Sequence, residues 1–228
     1  MQHEEIRRSL SVVCGQSTLL RKGLFNLMNW LTGRSWHVRR ELKKWLRSAP
    51  DRAHVLDAGA GFGQNSWWLS CQREKFSVLA VDNAQERVCS GNAFVRDTNR
   101  KNLLFRTLNL ESLEDTDAFD LILCTETLEY VHDDDKVIGN FHHALHQGGM
   151  VIGTVNRCYE GKKLERDAMC RHGYTREDLK AKFKSAGFSK VKTHYTLGSS
   201  GRLAGKIGLE IPLKMLKLTR LLAVVLPF

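Results

Sequence analysis

Short apolar runs alternate with longer mixed segments through the middle of the chain. The runs are apolar on both faces, which is typical of strands buried inside a parallel sheet. The stretches between them, at about 64–75, 84–97 and 133–147, have the length of helices. Strands that alternate with helices predict a parallel sheet with right-handed crossovers. We therefore predict an α/β, doubly wound, mostly parallel Rossmann-like sheet of about six to seven strands, the first five at 54–57, 77–82, 103–105, 119–124 and 150–155 and a sixth at about 189–197.

Helical patterns flank the alternating region on both sides. An apolar stripe at helical spacing runs over 19–31, and a basic amphipathic segment follows over 36–46. A capping pattern of Thr175 and Asp178 predicts the start of a further helix, which Gly187 ends. The chain is thus predicted to have three parts: a helical cap over 1–50, a Rossmann-like domain over 51–198 and an amphipathic extension over 199–228.

Charge is distributed unevenly along the chain, whose formal net charge is +10. Residues 1–50 hold ten Lys and Arg against three acids, residues 51–160 hold ten against seventeen, and residues 161–228 hold fifteen against five. Basic ends around an acidic middle suit an anionic partner. The same distribution also arises if the two ends pack against the middle, and both explanations stay open here.

Composition narrows the class of protein further. At 42% hydrophobic and 26% charged residues the chain can bury a core. No run approaches the roughly 20 apolar residues of a membrane span, and the charged start predicts no cleavable signal peptide. The six cysteines include no Cys-x-x-Cys pair, so we expect reduced thiols and no metal site. A cytoplasmic location is therefore expected.

The most specific motif is a glycine-rich loop that follows the first predicted strand. Asp57 ends the strand, and Gly59, Gly61 and Gly63 then stand at alternate positions. The dinucleotide fingerprint needs a glycine at position 64, which is glutamine here, and no phosphate-loop Gly-Lys-Ser/Thr occurs. The ligand that still fits this loop is a nucleoside that has no pyrophosphate and carries a cationic part, which the Asp57 carboxylate tolerates.

A second acid, Asp82, ends the second predicted strand, where a carboxylate can accept from both hydroxyls of a ribose. Together with the glycine loop, it resembles the class I S-adenosylmethionine-dependent methyltransferases of the small-molecule type over about residues 53–155. The resemblance implies that S-adenosylmethionine is the cofactor. It implies that the glycine loop lines the methionine part, Asp82 the ribose and Asn109 the adenine. The full implied set is Asp57, Gly59, Ala60, Gly61, Phe62, Gly63, Asp82, Asn83, Asn109, Leu110, Thr125 and Glu126.

Two features depart from that family. Tyr130 stands where many small-molecule members have His in a Leu-Glu-His run, and no final antiparallel hairpin is evident. A general base is needed only if the acceptor must lose a proton. The candidate bases are Glu129, His132, His172 and Tyr174, with His132 first because it lies just past a strand end.

The acceptor is predicted to be a small or lipid-like molecule. The C-terminal segment 211–228 is apolar with a stripe of Lys214, Lys217 and Arg220, which suits an anionic membrane surface and, equally, a helix packed on the core or in a dimer. Two other hypotheses stay open: an RNA or protein methyltransferase that docks through its basic ends, and a membrane-associated binding protein without catalysis. No Pro-Pro-Tyr/Phe run follows strand four, so no base-reading motif supports a nucleic acid acceptor, which the basic ends alone leave open.

Overall fold

One parallel sheet of five strands forms the centre of the computed structural model, which describes residues 17–31, 33–156, 166–167, 170–171 and 173–196. The strands stand in the order β3-β2-β1-β4-β5, all parallel. This confirms the predicted α/β, doubly wound class. The strands are β1 (His54–Ala58), β2 (Ser77–Asp82), β3 (Leu103–Thr107), β4 (Phe119–Thr125) and β5 (Leu145–Thr154).

Helices cover both faces of this sheet. They are α1 (Thr18–Leu31), α2 (Gly33–Trp45), α3 (Gln64–Ser70), α4 (Gln85–Asp97), α5 (Asp134–Ala144) and α6 (Arg176–Ser185). Residues of α2, α3 and α4 pack with Val55 and Leu121 on one face, whereas α5 and α6 pack with Leu56 and Ile122 on the other. Neighbouring residues of one strand therefore belong to different cores, which is why the strands are apolar on both sides. Single-turn helices at Leu110–Ser112 and Leu128–Tyr130 and a short antiparallel pair, β6 (Arg166–Asp167) and β7 (Cys170–Arg171), complete the elements.

Residues 189–196 adopt no strand conformation, so the predicted sixth strand does not form over the part of it that the structure describes. Residues 188–193 instead line, together with residues of β5, a cavity of about 460 Å³. Within the described ranges the sheet therefore has five strands. The predicted extension over 199–228 lies outside the described residues, as does His172.

The first helix buries less of its apolar stripe than its leucines suggest. Phe25 is buried and meets the ring of Phe94 edge-on at 5.8 Å, whereas Leu19, Leu20 and Leu27 are exposed by half or more. Among the side chains of this helix that the structure describes, Phe25 and Arg21 are the buried ones. Among the described helices, none has both the length and the hydropathy needed to cross a membrane.

Candidate functional site

The glycine loop between β1 and α3 is held in a left-handed conformation at three positions. Gly59, Gly61 and Gly63 have φ angles of 77°, 57° and 81°, a region that L side chains rarely adopt. A Cβ atom on Gly59 would lie 2.2 Å from Oγ1 of Thr127, whereas one on Gly61 would meet nothing within 4 Å. Gly59 is therefore required by packing. Gly61 instead borders open space at the carboxyl end of the sheet, where open α/β sheets bind ligands.

Asp57 carries a buried carboxylate at the base of this loop. Its Oδ2 accepts a hydrogen bond of 2.5 Å from Oγ of Ser66, the third residue of α3. Its Oδ1 is buried and has no hydrogen-bond partner among the residues that the structure describes. Burial raises the pKa of Asp57 to about 6, against the opposing effects of the Ser66 hydrogen bond and the Arg39 charge. A buried carboxylate oxygen without a donor is suited to a cationic or N–H-bearing ligand group.

Asp82 connects the loop to the end of β2. Its Oδ2 accepts from the Gly61 backbone N–H and its Oδ1 from the Ala84 N–H, each at 2.9 Å. Nη1 of Arg87 lies 3.2 Å from both oxygens. Because these donors surround the carboxylate, hydroxyl groups of a ligand can reach it only where the partly exposed Arg87 gives way.

The other predicted cofactor residues lie along the same edge of the sheet. Leu108 N donates to Asp82 O, which brings the segment after β3 beside the end of β2. There Asn109 is exposed and its Oδ1 accepts from the Glu111 N–H, while Leu110 is buried. The fold thus brings the implied set together at the carboxyl ends of four neighbouring strands, with exposed Asn83 next to Asp82 and with Thr125 and Glu126 at the end of β4.

The candidate bases divide into buried and exposed groups. Glu129 is buried, and its Oε1 accepts from the Asn156 N–H. Tyr174 is buried as well, with its hydroxyl 2.8 Å from Oδ2 of Asp134 and 3.0 Å from the Leu128 carbonyl. His132 is exposed on the loop after β4, and its backbone N–H donates to Oε1 of Glu111. Only His132 presents its side chain to solvent at this edge of the sheet among the described candidates.

Replacing Tyr174 with phenylalanine is expected to lower the free energy of unfolding by about 1–3 kcal/mol, because the buried Asp134 carboxylate and the Leu128 carbonyl lose the one hydroxyl hydrogen that lies between them. Urea denaturation measures this change. Affinity for S-adenosylhomocysteine should stay within twofold of the wild type, since the hydroxyl is enclosed in the core. A large loss of affinity with unchanged stability would contradict this packing role.

Several residues of the site were not predicted from the sequence. Ser66 and Thr127 support Asp57 and Gly59, and Arg87 faces Asp82. The guanidinium groups of Arg21 and Arg39 bond loop carbonyls from the N-terminal helices. Of these residues, only Arg21 had a signal in the sequence, because it is a charged residue inside an apolar stripe. Its hydrogen-bond partners lie 41 and 69 positions further along the chain, so the sequence alone did not identify them.

Comparison with known proteins agrees with this architecture. A family model described as a methyltransferase domain matches residues 33–193. The ubiquinone biosynthesis O-methyltransferase of Rickettsia akari (strain Hartford) is 30% identical over 107 residues, which cover 46% of this chain and 41% of that protein. A malonyl-acyl-carrier-protein O-methyltransferase of Bacillus anthracis is 28% identical over 108 residues, covering 47% and 39%. The chain thus spans about two fifths of the length of these curated relatives.

A solved structure supports the fold independently. The methyltransferase in complex with the Haloferax volcanii Trm112 methyltransferase activator superimposes with a TM-score of 0.57 at 22% identity, over 72% of each chain. The matched family model covers well over half of the present sequence. The glycine loop and the two strand-ending carboxylates lie inside the matched part. The chain accordingly belongs to the class I S-adenosylmethionine-dependent methyltransferase family.

Proposed function

We propose that this protein is a methyltransferase that transfers a methyl group from S-adenosylmethionine to a small-molecule or lipid-like acceptor. The observation that carries the proposal is the buried Oδ1 of Asp57, which has no donor among the described residues and lies at the base of the loop whose Gly61 borders open space. A ligand that approaches the main chain at Gly61 and brings a cationic group satisfies both features.

The family's cofactor supplies a methyl group on a positively charged sulfur, so the protein's task is to bind, align and exclude water. In the proposed site Asp57 and the loop from Gly59 to Gly63, including Ala60 and Phe62, hold the methionine part. Asp82 and Asn83 hold the ribose once Arg87 moves aside. The adenine lies by Asn109 and Leu110, and Thr125 and Glu126 close the site from β4.

Transfer is proposed to be a direct SN2 displacement. A bond forms between the acceptor's nucleophilic atom and the methyl carbon as the carbon–sulfur bond breaks, and S-adenosylhomocysteine leaves with the electron pair. An acceptor hydroxyl also loses its proton, which a base must take. We propose His132 for that step because Glu129 and Tyr174 are buried and already hydrogen-bonded, while His132 is exposed beside the site.

Replacing His132 with alanine should lower kcat about a hundredfold, the smaller end of the usual effect of a general base. The affinity for S-adenosylhomocysteine should not change, because the histidine is proposed to act on the acceptor. The matched control is His146→Ala at the opposite end of the sheet, where the ring lies 3.1 Å from Asp117. An equal kcat in both variants would remove His132 from the mechanism.

Two observations support a lipid-like acceptor. The Rickettsia relative is named for ubiquinone biosynthesis. Helix α1 also exposes Leu19, Leu20 and Leu27, and α2 exposes 76% of Trp36 close to the basic residues Arg40 and Lys43. Exposed apolar groups beside positive charge are typical of contact with an anionic membrane surface. We therefore propose a cytoplasmic enzyme that works at such a surface.

Calorimetric titration with S-adenosylmethionine and S-adenosylhomocysteine tests the cofactor site, and radiolabelled methyl transfer to a lipid extract then tests the acceptor class. Binding of both nucleosides with transfer to extractable lipid is the expected result. Transfer to RNA with steep salt dependence would favour the docking of basic ends on nucleic acid. Vesicle flotation without transfer to any extract would favour a binding protein without catalysis.

A further inference from the structure

The N-terminal helix α1 precedes the part of the chain that matches the family, which begins at residue 33. It nevertheless places a charged side chain in the interior, because Arg21 is only 1% exposed. A buried guanidinium is costly unless its N–H groups find acceptors. The location of those acceptors therefore shows what this helix is attached to.

Among the described residues, Arg21 has acceptors on two elements that frame the proposed cofactor site. Its Nη2 donates to the Phe62 carbonyl of the glycine loop at 2.7 Å. Its Nη1 donates to the carbonyl and hydroxyl oxygens of Ser90 on α4, at 2.8 and 3.0 Å. The guanidinium also lies 4.7 Å from the ring centre of Phe94. One side chain thus connects the loop after β1 to the helix after β2.

A second arginine reaches the same turn from α2. Nη2 of Arg39 lies 3.3 Å from the Gln64 carbonyl, and its guanidinium stacks over Trp68 at 4.1 Å. Burial lowers the pKa of Arg39 to about 10, against the effect of the Asp57 charge. The carbonyls of residues 62 and 64, one on each side of left-handed Gly63, are therefore both bonded by arginines of the N-terminal helices.

The same turn is also fixed through the backbone N–H of Gly61, the residue before Phe62. Gly61 donates its N–H to Asp82, so the peptide planes on both sides of this short turn are fixed by hydrogen bonds. A loop held in its binding conformation before the ligand arrives loses less conformational entropy on binding. Removing the Phe62 contact would leave this peptide held through the bond from the Gly63 N–H to the Ala60 carbonyl, so the turn would be less firmly ordered before the ligand arrives.

We propose that Arg21 is a positioning residue for the cofactor loop, so that helix α1, outside the matched family domain, forms part of the cofactor site. The proposal rests on the proposed function for its ligand, S-adenosylmethionine. Arg21 touches the loop backbone and not the cofactor. Its effect is therefore expected on nucleoside affinity and on loop order, and not on the chemical step.

The test compares Arg21→Met with Arg73→Met in the full chain. Arg73 is the matched control because it also bonds a backbone carbonyl, that of Leu46 at 2.9 Å, and also stacks on a phenylalanine, Phe76, but lies away from the loop. Methionine keeps the apolar length of the side chain in both cases. The measurements are the calorimetric Kd for S-adenosylhomocysteine, the melting temperature, and amide hydrogen exchange of residues 59–64 in the ligand-free protein.

Arg21→Met should raise the Kd up to about tenfold, because the ligand must then provide part of the loop ordering, and should speed exchange in residues 59–64. Arg73→Met should lower the melting temperature with the Kd within twofold. A lower melting temperature for Arg21→Met with unchanged Kd and unchanged exchange would overturn the proposal. If Arg21→Met fails to fold, Arg21→Lys replaces it, and we expect the same two changes on a smaller scale.

The two proposals fail in different ways. If the wild-type protein binds neither S-adenosylmethionine nor S-adenosylhomocysteine, the proposed function is wrong. The exchange measurement still decides the role of Arg21, because it needs no ligand. Faster exchange confined to residues 59–64 in Arg21→Met supports the positioning of the loop, and exchange equal to that of the wild type contradicts it.

Discussion

Replacement of Asp57 with asparagine is expected to weaken binding of S-adenosylhomocysteine on the order of a hundredfold or more while the protein stays folded. The wild-type carboxylate offers a buried Oδ1 that has no donor among the described residues, and a charged hydrogen bond at such a site contributes strongly to affinity. Asparagine keeps the shape and an oxygen for Ser66 but loses the charge. Calorimetry measures the effect.

The stability of this variant should move in the opposite direction from its affinity. Because burial raises the pKa of Asp57 from 3.8 to about 6, the folded protein holds a proton that the unfolded chain releases between about pH 4 and pH 6. The free energy of unfolding of the wild type therefore falls as pH rises through that window, by up to about 3 kcal/mol. Asp57→Asn should remove this slope, and should be at least as stable as the wild type at pH 7.

Affinity for the nucleoside should show the reverse pH dependence. If binding needs the ionised carboxylate, the wild-type affinity falls by up to tenfold per pH unit below pH 6 and is level above pH 7. The matched control is Asp120→Asn, whose Oδ2 accepts from the His54 N–H at the opposite end of the sheet. A loss of affinity in Asp120→Asn as large as in Asp57→Asn would show that the effect is general and not specific to the site.

The second large effect concerns two glycines of one loop. Gly59→Ala should lower the free energy of unfolding by about 2–5 kcal/mol, the sum of left-handed strain and overpacking. The added Cβ would meet Thr127 at 2.2 Å, and the loop cannot withdraw easily because the Gly59 N–H is bonded to Val81. Gly61→Ala, which has the same sign of φ but open space around it, should lose only about 1–2 kcal/mol.

The affinity for S-adenosylhomocysteine should rank the two glycine variants in the opposite order from their stability. An alanine methyl at position 61 projects into the space proposed for the cofactor, so Gly61→Ala should bind S-adenosylhomocysteine much more weakly than its stability suggests. Urea denaturation and calorimetry on both variants provide the comparison. Adding Thr127→Ala to Gly59→Ala should recover part of the lost stability, because the nearest atoms at 2.2 and 2.4 Å are then removed. Equal destabilisation by both alanines would contradict the steric argument.

The central strands and the glycine loop were predictable because their signals are local. β2 occupies the predicted residues 77–82, since a strand buried on both faces needs an unbroken apolar run. Left-handed turns favour glycine whatever surrounds them, although Asn99, Asp117 and Glu126 also have positive φ angles. Asp57 and Asp82 follow from their places at strand ends, and the fold brings them to one edge as a parallel sheet must.

The features that were missed depend on contacts between distant residues. Residues 189–197 have the alternating pattern of a strand, but a strand also needs a neighbour at hydrogen-bonding distance, and residues 189–196 join no sheet in the structure. The leucine stripe of α1 does not show that Phe25 and Arg21 make the buried contacts instead. Nor does the sequence around Asp57 reveal how deeply its carboxylate is enclosed, which decides its ionisation.

The cations that stack on the two tryptophans of α3 have a practical consequence. The Lys22 ammonium and the Arg100 guanidinium lie 5.1 and 5.0 Å from the ring centre of Trp67, and the Arg39 guanidinium lies over Trp68. Indole emission responds to nearby charge and to changes in packing, and this helix begins where the glycine loop ends. Occupation of the loop should therefore change the intrinsic fluorescence of the protein. The protein would then report its own binding in an unlabelled optical titration, against the background emission of Trp30, Trp36 and Trp45.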